Sequence, residues 1–200
     1  MQNEAQRDRI LETAHEKFRR FGIRRVTMDE IARDLRVSKK TLYQFFPDKE
    51  ALVRASVDRI AGKVIPIVSE AFGRDGPPME RLVAAWQGFA TLPRLLSAEL
   101  IADIQADYPH LWKEIDARRH EVIGRFEKLI ADGVRSGDIR PEVHPKVAMR
   151  LIVAVVEQVM VPDVLASGEF TPAEAVGTII TIVSRGMCAG APPVFAEQRP

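Results

Sequence analysis

Apolar residues return every three or four positions along nearly the whole chain, and the strict alternation that marks a half-buried strand occurs nowhere. The pattern predicts nine helices. The first covers about residues 5–21, with Ile10, Leu11, Ala14, Phe18 and Phe21 on one stripe and Gly22 as a left-handed stop. The second opens at Met28, because Thr27 and Glu30 have the spacing of a capping box, in which each side chain satisfies an orphan amide of the first turn. Met28, Ile31, Ala32 and Leu35 then face inward while Asp29, Glu30, Arg33 and Asp34 stay wet. Arg36, Val37 and Ser38 form a turn, and Ser38 caps a third helix that points Leu42, Phe45 and Phe46 to the core and Lys39, Lys40, Thr41, Tyr43 and Gln44 outward. Asp48 opens a fourth helix carrying Leu52, Val53, Val57 and Ile60. Pro66 lies inside it, removing one backbone bond and crowding the carbonyl of Gly62, so a bend is expected near residues 62–66.

After a loop from Gly73 to Pro78 the period resumes over about residues 79–91, 93–107, 109–136, 145–166 and 172–188, punctuated by Pro93, Pro109, Gly137, Pro145, Gly168 and Pro172. Thr171 and Glu174 repeat the capping-box spacing, with proline at the first helical position. The expected class is all-α: a three-helix N-terminal domain over residues 1–47, a connecting helix over 48–72, a helical bundle over 79–190 and a loose tail over 191–200. The eighth helix spreads Val147, Leu151, Ile152, Val155, Val156, Val159 and Met160 around much of its circumference, the pattern of a helix buried on more than one side. In the ninth, a small stripe of Ala173, Gly177, Thr181 and Ser184 lies opposite Val176, Ile179, Ile180, Val183 and Met187. One face of such a helix can pack on the core and the other on a second subunit, unless a monomer buries both internally.

Composition changes this picture little. With 46% hydrophobic and 28% charged residues, the 200-residue chain reads as an ordinary globular protein. Its first residues lack the apolar stretch of a signal peptide, and the aliphatic run from Leu151 to Val156 is far shorter than the ~20 residues of a membrane span, so a cytoplasmic protein is expected. Cys188 stands alone, which leaves no internal disulfide. His110 and His120 lie ten positions apart on one predicted helix, about 15 Å along its axis, and cannot share a metal. Asp103, Asp107 and Asp116 could join one histidine, but surface carboxylates are the ordinary reading. No zinc-hydrolase, paired-cysteine, nucleophile-elbow or glycine-rich phosphate motif occurs, so neither an enzyme nor a metal or cofactor protein is expected.

Charge is distributed unevenly: residues 1–60 hold 14 basic and 10 acidic side chains, net +4, against 15 and 18, net −3, in the remainder. The positive part contains the two short helices and tight turn of a helix-turn-helix, whose second helix enters a major groove with its N-terminal residues at the base edges. Lys39 and Lys40 can meet phosphates or guanine acceptors, Gln44 can pair with adenine, and Thr41 can touch a thymine methyl or a phosphate. Tyr43 adds a phenol at phosphate height, Thr27 is expected to be a phosphate contact, and Ser38 belongs to the same DNA-binding set. Lys49, beside the amides of the fourth helix, offers another phosphate site.

The run of residues closely resembles the tetracycline-repressor (TetR) family of bacterial transcriptional regulators. The match runs through Ile10 to Ala14, Phe18 to Gly22, Thr27 to Ala32, Val37 to Phe46 and Lys49 to Leu52, roughly the first quarter of the chain. Members often carry a small residue where this chain has Lys40 and histidine where it has Gln44, departures that bear on the operator sequence and not on the fold. The resemblance implies a homodimer through a four-helix bundle of the last two long helices of each chain, a double-stranded DNA operator, and a small-molecule effector whose binding alters the spacing of the reading heads. Trp86, Phe89, Leu96, Leu100, Ile104, Trp112, Ile115 and Phe126 are candidate walls for the effector, or plain core. Arg150, Glu157 and Gln158 interrupt the apolar eighth helix and need partners, at a dimer interface or on a ligand; Glu157 is the candidate anchor. The expectation is a ligand-responsive repressor on a palindromic operator. The competing class is a helical small-molecule binding protein without specific DNA readout.

Overall fold

A computed structural model describes residues 2–89, 97–159 and 168–190, apart from the side chains of Gln2, Phe89, Ala98 and Pro172. The expected helix starts and ends within 90–96 and 160–167, the tail, and the side chains of Leu96 and Met160 lie outside the described residues. Among those described, nine helices follow one another: α1 (Gln2–Phe21), α2 (Met28–Leu35), α3 (Lys39–Phe45), α4 (Lys49–Gly73), α5 (Pro78–Phe89), α6 (Ala98–Asp107), α7 (Pro109–Ser136), α8 (Pro145–Val159) and α9 (Pro172–Met187). The class is all-α. No strand is present among the described residues, only an isolated bridge between Ile139 and Cys188.

By packing, the chain forms two compact units: residues 1–63 with 92–117, and residues 64–91 with 118–200. In the first, α1 buries Ile10, Leu11, Ala14 and Phe18. It stops at Gly22, whose φ of 76° is the left-handed conformation and whose N–H returns to the Phe18 carbonyl at 2.9 Å. Phe21 departs from the expected stripe. It is exposed, with the cations of Lys17 and Arg20 over its ring, because it lies at the last turn of α1, beyond the packed stripe that ends at Phe18.

Both bonds of the capping box at Thr27 are made, and α2 buries Met28, Ile31, Ala32 and Leu35. Its end is closed by the backbone alone: Arg36 N–H reaches the Arg33 carbonyl and Val37 N–H the Ala32 carbonyl, each at 3.0 Å, the bonding of a Schellman motif. That closure puts Arg36 at φ 55°, ψ 39°, left-handed backbone that costs a residue with a Cβ ~1–2 kcal/mol. Ser38 accepts from Thr41 N–H at 3.0 Å and starts α3, which buries Leu42. Leu100 and Ile104 of α6 and Leu111 of α7 complete the same core, with Trp112, Ile115 and Tyr108 packed against it.

In the second unit α9 packs on α5 and α8. Its N-terminus is fixed by the capping box of Thr171 and Glu174. The turn after α7 ties the unit together. The Asp138 carboxylate accepts from Met79 N–H at 2.6 Å, and Arg140 donates its N–H to the Met187 carbonyl and its Nε to the Cys188 carbonyl, both at 2.9 Å. α4 continues through Pro66 as one helix and does not end there.

Candidate nucleic-acid interface

The two caps of the helix-turn-helix set its geometry. Thr27 N–H donates to Glu30 Oε2 at 2.8 Å and Glu30 N–H to Thr27 Oγ1 at 3.2 Å. These bonds, the backbone one foremost, hold the Glu30 carboxyl below the usual carboxylate range. The Ser38 and Thr41 hydroxyls are 2.8 Å apart, so Thr41 is half-buried and already engaged. Leu42 and Phe46 are buried beneath α3 and Phe45 is half-buried, which fixes the roll of the helix about its axis. Lys40 and Gln44, one turn apart, then stand exposed on its outer side with Tyr43. Lys39 is exposed too, but its ammonium is paired with Asp29 of α2 at 2.5 Å.

Lys49 is half-buried. Burial pushes its ammonium below the usual lysine range, against the opposing pull of Asp103, Asp107 and Glu30. Asp48 Oδ1 accepts from Ala51 N–H at 2.7 Å, so one amide at the start of α4 is occupied as expected.

A feature that sequence reasoning did not assign lies on α6. Asp107 grips the Arg24 guanidinium with both oxygens, at 2.8 Å to Nε and 2.7 Å to NH2, and Asp103 Oδ2 accepts from Arg24 N–H at 3.0 Å. The Arg24 bonds hold the Asp107 carboxyl below its usual range. A Cβ on Gly22 would sit 2.8 Å from Asp103 Oδ2 and push that carboxylate off the Arg24 amide, while the φ of 76° already favours glycine there. α6 thus clamps the loop that leads into Thr27. The four-residue spacing of the two aspartates on one helix face was the available signal. Nearby, His110 meets Glu50 at 2.6 Å and Arg54 meets Glu114 through two bonds, at 2.6 and 3.1 Å, tying α7 to α4.

The residues suggested for an effector are divided between the two units. Leu100, Ile104 and Trp112 belong to the core of the first unit. Trp86 and Phe126 lie in the second, their rings parallel within 10° and 6.1 Å apart, and Phe72 meets Phe126 edge-on at 4.8 Å. Trp86 is 6% exposed, and its indole N–H has no hydrogen-bond partner among the described residues. The side chain of Phe89 lies outside the described residues. Glu157 is exposed and forms an ion pair with Arg119, and Arg150 is exposed.

On α8 and α9 large apolar side chains face solvent: Val147 at 60%, Leu151 at 58% and Ile182 at 66%, with Val155 and Val156 beside them. These line or border an open groove of about 350 Å³ between the two helices. Of the small stripe, Ala173 and Gly177 are exposed and Ser184 is buried. Among the described residues there is no group of three or more metal-ligating side chains, and no helix is long and apolar enough to cross a membrane.

Capped α2, left-handed turn and outward-facing α3 define a helix-turn-helix DNA-binding protein. Residues 10–56 match the family model of bacterial regulatory proteins, tetR family. The chain is 28% identical over 152 residues to the A-factor receptor protein of Streptomyces griseus, covering 72% of this chain and 50% of that protein. It is also 28% identical over 144 residues to the HTH-type transcriptional regulator RutR of Escherichia coli K12, covering 68% of this chain and 66% of RutR. The chain therefore spans about half to two thirds of the length of these relatives. Among solved structures, AibR in complex with isovaleryl coenzyme A and operator DNA superposes with a TM-score of 0.64 at 24% identity, over 88% of this chain and 96% of AibR. The match to the tetR family thus covers the helix-turn-helix region, and the relatives similar over a longer stretch of the chain include HTH-type transcriptional regulators.

Proposed function

We propose that this chain is an effector-responsive repressor that binds a palindromic operator as a homodimer. The observation that carries the reading is the outer face of α3, where Lys40, Tyr43 and Gln44 project from a helix whose inner side is locked by Leu42 and Phe46. Lys40 and Gln44 read base edges; Thr27, Ser38, Lys39, Thr41, Tyr43 and Lys49 position the head on phosphates. Lys39 and Lys49 do so while sharing their charge with Asp29 and with Asp103 and Asp107.

The apolar face of α8 and α9 supports the dimer. A contiguous exposed patch of large aliphatic side chains on a charged protein marks an interaction surface, and a self-complementary one makes a two-fold pair. The heads then sit about one helical turn, ~34–36 Å, apart on the duplex. An effector is favoured by the relatives' chemistry, since AibR is solved with isovaleryl coenzyme A, and by Trp86, whose buried N–H awaits an acceptor beside Phe126. Functionally the chain divides into a head over 1–47, the connecting helix 48–72 and an effector and dimer region over 79–190.

Operator selection followed by footprinting tests this. A two-fold site protected by a dimer is expected, with Lys40→Ala and Gln44→Ala each weakening discrimination at the base pair it reads by ~1–3 kcal/mol and so changing the preferred motif. A monomer at micromolar concentration that ignores DNA would sink the proposal.

A further inference from the structure

We propose that the Arg36 guanidinium is a phosphate contact of the reading head, and that its left-handed backbone is retained for the sake of that contact. This rests on the DNA-binding reading above and adds to it a residue outside α3. Among the described residues, five adopt positive φ: Gly22, Gly76, Gly137, Gly168 and Arg36. The chain thus uses glycine at every such turn but one. Glycine enters this conformation without a Cβ clash, and asparagine or aspartate can compensate locally through a short polar side chain. Arginine has neither advantage.

Nor does the turn need the side chain. The closure of α2 is made by the Arg36 and Val37 amides on the Arg33 and Ala32 carbonyls, bonds that glycine would supply equally well. The side chain is exposed and forms no ion pair among the described residues, although neighbouring carboxylates are in use: Asp29 takes Lys39 and Asp34 takes Lys17. A strained backbone carrying an uncommitted cation is therefore found two residues before Ser38, the cap of the recognition helix. When the N-terminal residues of that helix enter a major groove, this turn comes to the phosphate ridge beside it. A guanidinium suits that place because its planar fork meets a phosphate with two parallel bonds and remains charged at any working pH.

The test compares full-length parent, Arg36→Gly and Arg36→Lys for thermal midpoint and for binding to a fluorescent duplex across a salt series. Arg36→Gly should melt no lower than the parent, yet bind roughly five-fold more weakly per subunit at physiological salt. Its log affinity should fall less steeply with log salt, by about one unit per bound subunit. Arg36→Lys should keep the parent's slope. Parental affinity and slope in Arg36→Gly would overturn the contact, and a clearly lowered midpoint would overturn the claim that the side chain adds nothing to the turn. A parent without salt-dependent DNA binding would overturn the DNA reading and this inference together; a binding parent with an indifferent glycine variant would remove this inference alone.

Discussion

The two packing units finish their cores differently. In the first, α1 to α3 bury nearly every apolar side chain they own, and the last gaps are filled by Leu100, Ile104 and Leu111, which the chain supplies roughly fifty to sixty residues after α4 begins. In the second, α8 buries Met149 and Ile152 but leaves Val147, Leu151, Val155 and Val156 in solvent, and α9 leaves Ile182. A head that must present one fixed surface to DNA is closed by its own chain. The other unit leaves an apolar surface open among the described residues.

The largest effect should come from opening the closed core. Ile104→Ala removes a fully packed side chain from beneath α1 and should lower stability by ~2–5 kcal/mol in urea unfolding, with loss of DNA binding on moderate heating. A cost below ~1 kcal/mol would mean that α6 is an accessory to the head and no part of its core. Leu151→Glu addresses the other region. It should leave the fold intact while weakening self-association roughly 30-fold or more in sedimentation equilibrium, since a carboxylate would have to be desolvated at an apolar face. Association equal to the parent's would show that this face is not the interface.

A matched pair of cap mutations is expected next. Thr27→Ala and Thr171→Ala remove the same device from the two units, and each should cost ~1 kcal/mol in thermal unfolding. Only Thr27→Ala should also weaken DNA binding, and an equal effect on DNA from Thr171→Ala would blur the division between the regions. The smallest effect belongs to His15. Burial foremost, then the positive charges of Lys63, Arg19 and Arg59, lowers its pKa from the usual 6.5, so the unfolded chain binds the extra proton first as pH falls. Its contribution is complete above about pH 6.5 and declines below it until the folded form is protonated too. The thermal midpoint should fall by a degree or so over that window in the parent, and His15→Asn should flatten the change.

What the sequence disclosed was local. The capping boxes at Thr27 and Thr171, the caps at Ser38 and Asp48, and the stop at Gly22 depend on neighbours within four residues, and each is where its spacing placed it. Periodicity shows that a residue faces inward and says nothing about which interior it enters. Leu100 and Ile104 read equally as pocket wall or plain core for that reason, and they pack in the core with α1 and its neighbours. The Arg119 to Glu157 pair and the Asp107 grip on Arg24 join positions 38 and 83 residues apart, beyond any local pattern. The left-handed turn at Arg36 was hidden because no glycine announced it.

The turn that follows α7 has a consequence for how the molecule breathes. Asp138 holds Met79 with its carboxylate and Ala189 with its carbonyl, Ile139 bridges Cys188, and Arg140 takes both the Met187 and Cys188 carbonyls. Ile139 also lies over Gly133 so closely that a Cβ there would come within 2.6 Å. Three consecutive residues therefore pin the beginning of α5 and the end of α9, and the chain from 79 to 189 forms two large loops crossing at one point. Releasing any one of the bonds to the end of α9 frees little loop entropy, because the others still hold that loop shut, whereas the loop back to Met79 is closed by the Asp138 carboxylate. The amides of Arg140 and Ala189 are accordingly expected to open in one cooperative event and to exchange with solvent hydrogen together, although they stand 49 residues apart.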